Sequence, residues 1–348
     1  MITVSVIVPC YNAENHVSKC MDSLVTQTLE NMEIILVNDA SEDSTFEILK
    51  KYEEQHDNIK LIDSSVNLKP GAARNIAIDI AEGKYIAFLD SDDWVDSTMY
   101  EKLYHFAEEN DYEIASCFHH HIHLYIDNAD EIIMQKNKMI INALKSEGNK
   151  TVYRKICVND RLAYGVSDAI YNKEFLLQRG IYFPENLFHE ESYVRFFSDY
   201  LSSKKGALEE ILYCHFARKD SITSLKNDLC VMEDDLTVKK LILEDAKRIG
   251  IFNHNRDEIE KYFVDWYGHA IINAIKNFDD MPLDWMKEVS RFITGNFPNY
   301  ANNIYLSESD RAVHIILRLN DIAPQSLYDA VQTNDKLYEL IYNKPRKK

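Results

Sequence analysis

The sequence predicts an α/β fold, in which a mixed, mainly parallel sheet is flanked by helices and followed by a helical region. Short apolar runs alternate with amphipathic segments over the first 120 residues, as in parallel sheets that are buried on both faces. A mixed pattern continues to about residue 224, and helical periodicity takes over beyond it. A chain of 348 residues is long enough for two domains, which we expect at residues 1–224 and 225–348.

Five apolar runs predict strands, and the segments between them predict helices. The strand-like runs are VSVIVP at 4–9, EIILVND at 33–39, IKLIDS at 59–64, KYIAFLD at 84–90 and EIASCFHHHIHLYI at 113–126. Helical spacing covers residues 13–27, and a second helix begins near Ser41. The Pro70-Gly71 turn opens a third helix, which continues through Ala81.

The charge and cysteine content argue against several classes of protein. The formal net charge of -18, from 39 Lys and Arg against 57 Asp and Glu, repels phosphate backbones and disfavours nucleic-acid binding. The six cysteines form no CxxC pair, as expected of reduced thiols. The N-terminus has no basic region, and no apolar run reaches the roughly 18 residues of a membrane span. We therefore expect a cytoplasmic protein. A peripheral position at the inner face of the membrane and homo-oligomerisation through the C-terminal helices are left open.

Polar residues follow three of the predicted strands. Asn12, Asp39 and the cluster Asp90–Asp93 come after strands whose carboxyl ends share one edge of a parallel sheet. Carboxylates that converge without a counter-ion repel each other, and a divalent cation with oxygen ligands removes that cost. A DxD sequence at a strand end therefore suits a metal ion bound to a nucleotide diphosphate. The alternatives are an ordinary acidic turn at 90–93 and a helix-capping role for Asp39.

The segment NLKPGAARN at 67–75 adds a second indication of phosphate binding. Gly71 permits a tight turn, and the helix that follows offers N–H groups and the positive end of its dipole. Arg74 can reach either a phosphate or a carboxylate of the Asp90 cluster. The alternative is that Arg74 is a surface charge.

The chain contains four separated segments in a characteristic order, SVIVPCYNAE, IILVNDASEDST, GAARNIAIDIAEGKYIAFLDSDDW and FHEESYVRFF. These segments resemble the family 2 glycosyltransferases with the GT-A fold, and the resemblance covers roughly residues 2–224. It implies a nucleotide-sugar donor, usually UDP-linked, and a divalent Mn or Mg ion. It also implies transfer of a hexosyl or N-acetylhexosaminyl group to a glycan, glycoconjugate, cell-surface polymer or lipid-linked acceptor.

The same resemblance implies roles for individual residues. Tyr11 would lie beside the uracil, Asp39 would accept a hydrogen bond from the uracil ring, and Asp90 would hold the ribose. Asp92 would bind the metal ion, and His215 is either a second metal ligand or a structural residue. The donor-binding residues expected on this basis are Pro9, Tyr11, Asn12, Glu14, Asp39, Gly71, Arg74, Asp90, Ser91, Arg218 and Ser221.

The catalytic base of the family is the second acid of a Glu-Asp pair at a helix start, and here the pair is Glu190-Glu191. Glutamate has the same chemistry as aspartate with one more methylene, so either the acceptor or the backbone lies further away. The resemblance implies Glu191 as the base, with Glu190 as the reserve. The alternative is that both glutamates stabilise a helix N-terminus through its dipole.

The leading hypothesis is a metal-dependent inverting glycosyltransferase. One base without a second nucleophilic carboxylate predicts a single displacement with inversion. A nucleotidyl transferase or dinucleotide enzyme is disfavoured, because the sequence has no GxGxxG after its first strand and no GxxxxGK loop. A non-catalytic sugar-nucleotide-binding scaffold of a glycan-assembly complex stays as the alternative, because the chain departs from the family pattern at Glu191.

Overall fold

The computed structural model describes most of the chain, with gaps. The described residues are 1–122, 166–216, 228–278, 280–305, 316–334 and 341. Two of the expected donor-binding residues, Arg218 and Ser221, lie outside them, as does the end of the predicted strand 113–126.

The first part of the chain alternates strands and helices. Its elements are β1 (Val4–Cys10), α1 (Val17–Val25), β2 (Met32–Asp39), α2 (Thr45–Gln55), β3 (Ile59–Ser64), α3 (Lys69–Ile80), β4 (Tyr85–Phe88), β5 (Trp94–Val95), α4 (Met99–Asn110), β6 (Ile114–Ile122), β7 (Ala169–Asn172), α5 (Lys173–Arg179), α6 (Glu191–Leu201) and β8 (Lys205–Phe216). The later part is helical, with α7 (Leu229–Arg248), α8 (Ile251–His254), α9 (Arg256–Asn277), α10 (Leu283–Asn296), a 3-10 turn (Tyr300–Asn302) and α11 (Pro324–Thr333).

The eight described strands form one mixed sheet in the order β3-β2-β1-β4-β7-β6-β8-β5. β1 runs parallel to both β2 and β4, and β2 runs parallel to β3, so these four strands end on the same edge. β7 is antiparallel to β4 and β6, whereas β6 and β8 are parallel. The short strand β5 closes the order against β8 in antiparallel register. The predicted mainly parallel α/β sheet is therefore confirmed.

The core of the sheet explains why its strands are easy to recognise in the sequence. Every residue of β2 is buried, including Asn38 and Asp39 at its carboxyl end. A strand that is covered on both faces needs an almost continuous apolar run rather than an alternating one. Burial of these two polar side chains costs free energy unless they form hydrogen bonds. We therefore expect hydrogen bonds at this edge of the sheet.

Two details of the predicted elements are wrong. The helix predicted over 13–27 extends only from Val17 to Val25. Thr45, the first residue of α2, accepts the N–H of Ala13, and Asp43 accepts that of Glu14, so neither N–H enters the helix. Gly71 is not in a turn but inside α3, and the left-handed residue at the start of that helix is Lys69, with φ 63°.

Contacts within the chain divide it into two compact units, residues 1–219 and 220–348. The first unit has a continuous apolar core that runs from Val4 to Tyr213. In the second unit, α9 and α10 contribute Phe263, Tyr267 and Trp285 to the buried side chains. None of the helices in the described part of the chain has the length and apolar character required to span a membrane.

Candidate active site

Arg74 connects two carboxylates that are far apart in the sequence. Its guanidinium donates to Glu190 Oε1 over 2.5 Å and to Asp90 Oδ1 over 2.7 Å. Arg74 is only 5% exposed, which rules out the surface-charge alternative. A buried guanidinium needs such charge-assisted partners to offset its loss of hydration. The bridge joins the carboxyl end of β4 to the start of α6, and so brings three of the expected site residues together.

The two adjacent glutamates lie in different environments. Glu190 is 2% exposed, and burial together with the charge of Glu191 raises the pKa of Glu190 to about 7, against the opposing effect of Arg74. The side chain of Glu191 is 30% exposed, and Nδ1 of His189 lies 3.8 Å from its Oε1. Partial burial favours the neutral acid, but His189 and Arg74 outweigh it and hold the pKa of Glu191 below its usual value. Glu191 is therefore ionised at neutral pH and reachable from solvent, as a proton acceptor must be.

The acidic turn after β4 divides into accessible and buried carboxylates. Asp93 is 1% exposed and accepts hydrogen bonds from the Tyr213 hydroxyl and from the Phe216 N–H, the latter over 2.7 Å. Burial and the charges of Asp90 and Asp92 raise the pKa of Asp93 to about 8. Asp93 thus anchors the turn to the end of β8 and does not face a ligand. The remaining two carboxylates are only partly buried, and the Asp90 side chain is 41% exposed.

Asp39 contacts the helix that carries Arg74. Its Oδ1 accepts the N–H of Leu68 over 2.6 Å, at the residue that precedes α3. Burial raises the pKa of Asp39, although the N–H groups of Leu68 and Lys69 oppose the shift. Asp39 therefore does serve the start of a helix, namely α3, and its predicted contact with the uracil ring stays a prediction.

The loop after β1 is held against the loop after β2 by side chains that were expected to touch the donor. Asn12, at φ 46°, accepts the Glu42 N–H over 2.8 Å. Glu14 Oε2 accepts the Ser44 N–H over 3.0 Å. These oxygens are used in loop–loop hydrogen bonds, so the two residues shape the edge of the site. Tyr11, which precedes Asn12, is 49% exposed and can stack on a base.

The remaining expected donor residues lie along the same edge. Pro9 is half-buried in β1, where it pairs with Val37, and Ser91 is half-buried in the acidic turn. Gly71 is buried, and a Cβ added there would lie 2.5 Å from the Pro184 carbonyl oxygen and 2.9 Å from Glu190 Cγ. The glycine therefore permits α3 to lie against the segment before Glu190, and this close approach replaces the tight turn that we predicted.

The two residues expected to bind a divalent ion, Asp92 and His215, each lie next to one partner of the Asp93–Phe216 hydrogen bond. Asp92 lies in the turn that Asp93 ties to Phe216, and His215 immediately precedes Phe216 in β8. In the described part of the chain, no three His, Cys, Asp or Glu residues come together as a ready-made metal site. One carboxylate and one imidazole fit an ion that takes most of its ligands from phosphate oxygens.

Sequence reasoning missed three residues that organise this site. His189 lowers the pKa of Glu191, Asp93 anchors the acidic turn, and Asn75 forms hydrogen bonds with the backbone of Phe183. Asn75 directly follows Arg74, and Asp93 ends the acidic run, so both stood in segments already singled out. Nothing in the sequence identified their partners.

Comparison with known proteins matches this arrangement to one family. Residues 5–164 match the family model described as glycosyl transferase family 2. Residues 5–164 belong to family 2. Among solved structures, that of Staphylococcus aureus TarS 1–349 in complex with UDP-GlcNAc has a TM-score of 0.73 and 20% identity, and the match covers 95% of this chain and 92% of that one. The GT-A fold expected for a family 2 chain is therefore confirmed.

Several relatives of this chain are longer than it is. The poly(ribitol-phosphate) beta-glucosyltransferase of Bacillus spizizenii is 27% identical over 357 residues, which cover 98% of this chain and 52% of that protein. The chain spans 52% of the length of this relative and 63% of the length of two others, Escherichia coli YibD and Bacillus subtilis EpsJ. A more distant structure, the Pyrobaculum calidifontis mannosyltransferase PcManGT with GDP-Man and Mn2+, has a TM-score of 0.52 and 13% identity, covering 96% of this chain and 87% of that one.

Proposed function

We propose that the protein is an inverting glycosyltransferase that moves a sugar from a UDP-sugar to a hydroxyl of a cell-surface polymer, of which poly(ribitol-phosphate) is the first to test. The observation that carries the proposal is the bridge from Asp90 through Arg74 to Glu190. It brings the end of β4, where the family binds its donor, beside a solvent-accessible carboxylate that is suited to accept a proton. The polymer is suggested by the name of the Bacillus spizizenii relative.

In the proposed mechanism, the acceptor hydroxyl attacks the anomeric carbon while UDP leaves from the opposite side. Glu191 takes the hydroxyl proton, since its carboxylate is ionised and 30% of its side chain is exposed. Glu190 is committed to Arg74 and supports the site without exchanging protons with the acceptor. A single displacement of this kind inverts the anomeric configuration.

The donor side of the site is assembled from strand ends. Tyr11 stacks on the uracil, Asp39 accepts from its ring, and Asp90 holds the ribose in this proposal. Arg218 and Ser221 are assigned to the diphosphate. A Mn or Mg ion held by Asp92 and His215 would supply positive charge to the leaving diphosphate. The cysteines in the described part of the chain, Cys10, Cys20, Cys117, Cys214 and Cys230, are free thiols, which supports a cytoplasmic location. A position at the inner face of the membrane is part of the proposal.

The proposal is tested by transfer from UDP-Glc or UDP-GlcNAc to poly(ribitol-phosphate) in the presence of Mn2+, measured as labelled sugar in the polymer. The Glu191→Gln variant keeps the side-chain volume but cannot take the proton, so transfer should fall by roughly 10²-fold or more. Its UDP affinity should not change, because the donor contacts lie on the strand ends. Glu174→Gln, at an exposed glutamate on α5, is the matched control and should keep full activity.

The metal ligand is tested in the same assay by Asp92→Ala. In this variant, Mn2+ should no longer change the affinity for UDP. The control is Asp57→Ala, at an exposed aspartate near β3, in which Mn2+ should change the affinity for UDP as much as in the wild type. Mn-dependent UDP binding without any transfer or donor hydrolysis would favour the non-catalytic scaffold. Full transfer by Glu191→Gln would overturn the assignment of the base.

A further inference from the structure

We propose that Asn75 is the positioning residue for the catalytic base, because its side-chain amide holds the irregular segment 181–190 that leads into Glu191. The inference rests on the proposed function, in which Glu191 accepts the proton. It concerns a residue that would touch neither the donor nor the acceptor.

The Asn75 amide forms two hydrogen bonds with one backbone residue across a separation of 108 positions. Nδ2 donates to the Phe183 carbonyl over 2.9 Å, and Oδ1 accepts the Phe183 N–H over 3.0 Å. Asn75 is 8% exposed, so the pair is shielded from competing water. Only a carboxamide side chain can donate and accept at once in this way and thereby substitute for a neighbouring strand.

The segment depends on such contacts because it forms neither helix nor strand between Ile181 and Glu190. Buried backbone N–H and C=O groups that have no partner destabilise a folded chain. Within the described part of the chain, both groups of Phe183 are satisfied by Asn75. The loop therefore has a defined path at the point where Asn75 holds it, seven residues before Glu190.

Other residues of α3 contact the same segment further along. Lys69 Nζ donates to the Asn186 carbonyl over 2.9 Å, and Arg74 holds Glu190 over 2.5 Å. Gly71 leaves room for the Pro184 carbonyl. One helix thus fixes the segment at its beginning, middle and end. Lys69 and Asn75 both bind the backbone of the segment, but only the Asn75 side chain is uncharged. Asn75 can therefore be replaced by alanine without altering the charge of the site.

Loss of this clamp should affect the chemical step more than donor binding. The uracil and ribose contacts are assigned to the ends of β1, β2 and β4, while the segment 181–190 leads to the pair Glu190-Glu191 and carries no assigned donor contact. A displacement of about 1 Å at a catalytic group commonly lowers the rate by about 10²-fold. We expect Asn75→Ala to reduce kcat of transfer by about 10- to 100-fold, with the affinity for UDP unchanged.

The experiment compares Asn75→Ala with Asn58→Ala in the transfer assay. Asn58 is the matched control, because its amide also donates to a backbone carbonyl, that of Met32 over 3.0 Å, away from Glu191. Thermal unfolding and UDP binding verify that each variant is folded. If Asn75→Ala does not fold, Asn75→Asp serves instead: it has the same shape and keeps an acceptor for the Phe183 N–H, but it loses the donor and adds a negative charge beside Glu185. Its kcat is therefore compared in the wild-type and Glu191→Gln backgrounds.

A double-mutant cycle separates positioning from a general loss of structure. Combined with Glu191→Gln, Asn75→Ala should lower transfer no further, because its effect acts through Glu191. An equal loss of kcat in both backgrounds would overturn the inference, and so would an unchanged kcat in Asn75→Ala while Glu191→Gln is inactive. Full activity of Glu191→Gln would contradict the proposed function itself and is therefore a distinguishable result.

Discussion

Two neighbouring glutamates show how environment assigns different roles to the same side chain. Glu190 is buried and bonded to Arg74, so its pKa rises to about 7, while the partly exposed Glu191 has a lowered pKa next to His189. Pairs of carboxyl groups with separated pKa values are typical of catalytic sites. The chemistry that distinguishes them lies in their contacts and not in their residue type.

Replacing Glu190 by Gln should change how stability depends on pH. Between about pH 5 and 7 the native state keeps the Glu190 proton that the unfolded chain has released, since the pKa rises from 4.5 to about 7. The free energy of unfolding of the wild type, minus that of Glu190→Gln, should therefore decrease as pH rises through this window. The decrease is at most about 1.4 kcal/mol per pH unit, and the difference should become constant above about pH 7. Urea unfolding of both proteins at pH 5, 6, 7 and 8 measures the difference. A constant difference over this range would show that Glu190 titrates normally.

At the scale of elements, α3 connects the donor side of the site to the base. Asp39 accepts a hydrogen bond from Leu68, directly before the start of α3. The buried residues of α3 include Arg74, Asn75 and the closely packed Gly71. The hydrophobic pattern of this helix is weak because its buried residues include the polar Arg74 and Asn75. Three of its residues are needed for function in our proposals, which makes α3 the element where small changes should have large effects.

A methyl group at position 71 is expected to force α3 and the segment before Glu190 apart. The added Cβ would meet the Pro184 carbonyl oxygen at 2.5 Å, and a backbone atom cannot move away as a flexible side chain can. We expect Gly71→Ala to destabilise the protein by about 1–3 kcal/mol and to lower transfer. Thermal and urea unfolding measure the first effect, and the polymer assay measures the second.

Gly295 in α10 provides the matched control for this substitution. A Cβ there has no atom within 4 Å, so Gly295→Ala should stabilise its helix by up to about 1 kcal/mol. If Gly71→Ala behaved like Gly295→Ala, the close approach of α3 to the Pro184 segment would not matter for stability.

At the scale of the whole molecule, the chain consists of two compact units, residues 1–219 and 220–348. Every residue to which we assign a catalytic or donor role, apart from Ser221, lies in the first unit. That unit also has its own apolar core. We propose that residues 1–224 form a glycosyltransferase domain that binds the donor by itself, and that residues 225–348 serve the acceptor or self-association.

A fragment of residues 1–224 should bind UDP with the affinity of the full chain, because the assigned contacts are all retained. The fragment 225–348 should not bind it. Isothermal titration calorimetry with UDP and Mn2+ on both fragments and on the full chain tests this division. A large loss of UDP affinity in a folded 1–224 fragment would show that the helical unit contributes to the donor site.

The sequence by itself located five of the eight described strands and the segments from which the candidate site is built. β3 coincides with the predicted run at 59–64, and β2 begins one residue earlier than predicted. Strands buried on both faces require continuous apolar runs, which are visible locally. The acidic turn and the glutamate pair are equally local, because each lies within a few consecutive residues.

Only the tertiary structure decided which of these residues meet and what each one does. Arg74 and Glu190 are 116 positions apart, and the sequence contains no sign that one helix carries both this contact and the Asn75 clamp. The same holds for Asp93, which resembles its neighbours in the sequence but is buried against β8. The pKa of a carboxyl group depends on its burial and on its charged neighbours, and the path of a loop depends on its hydrogen-bond partners. Burial and partners are both provided by chain segments that are distant in sequence.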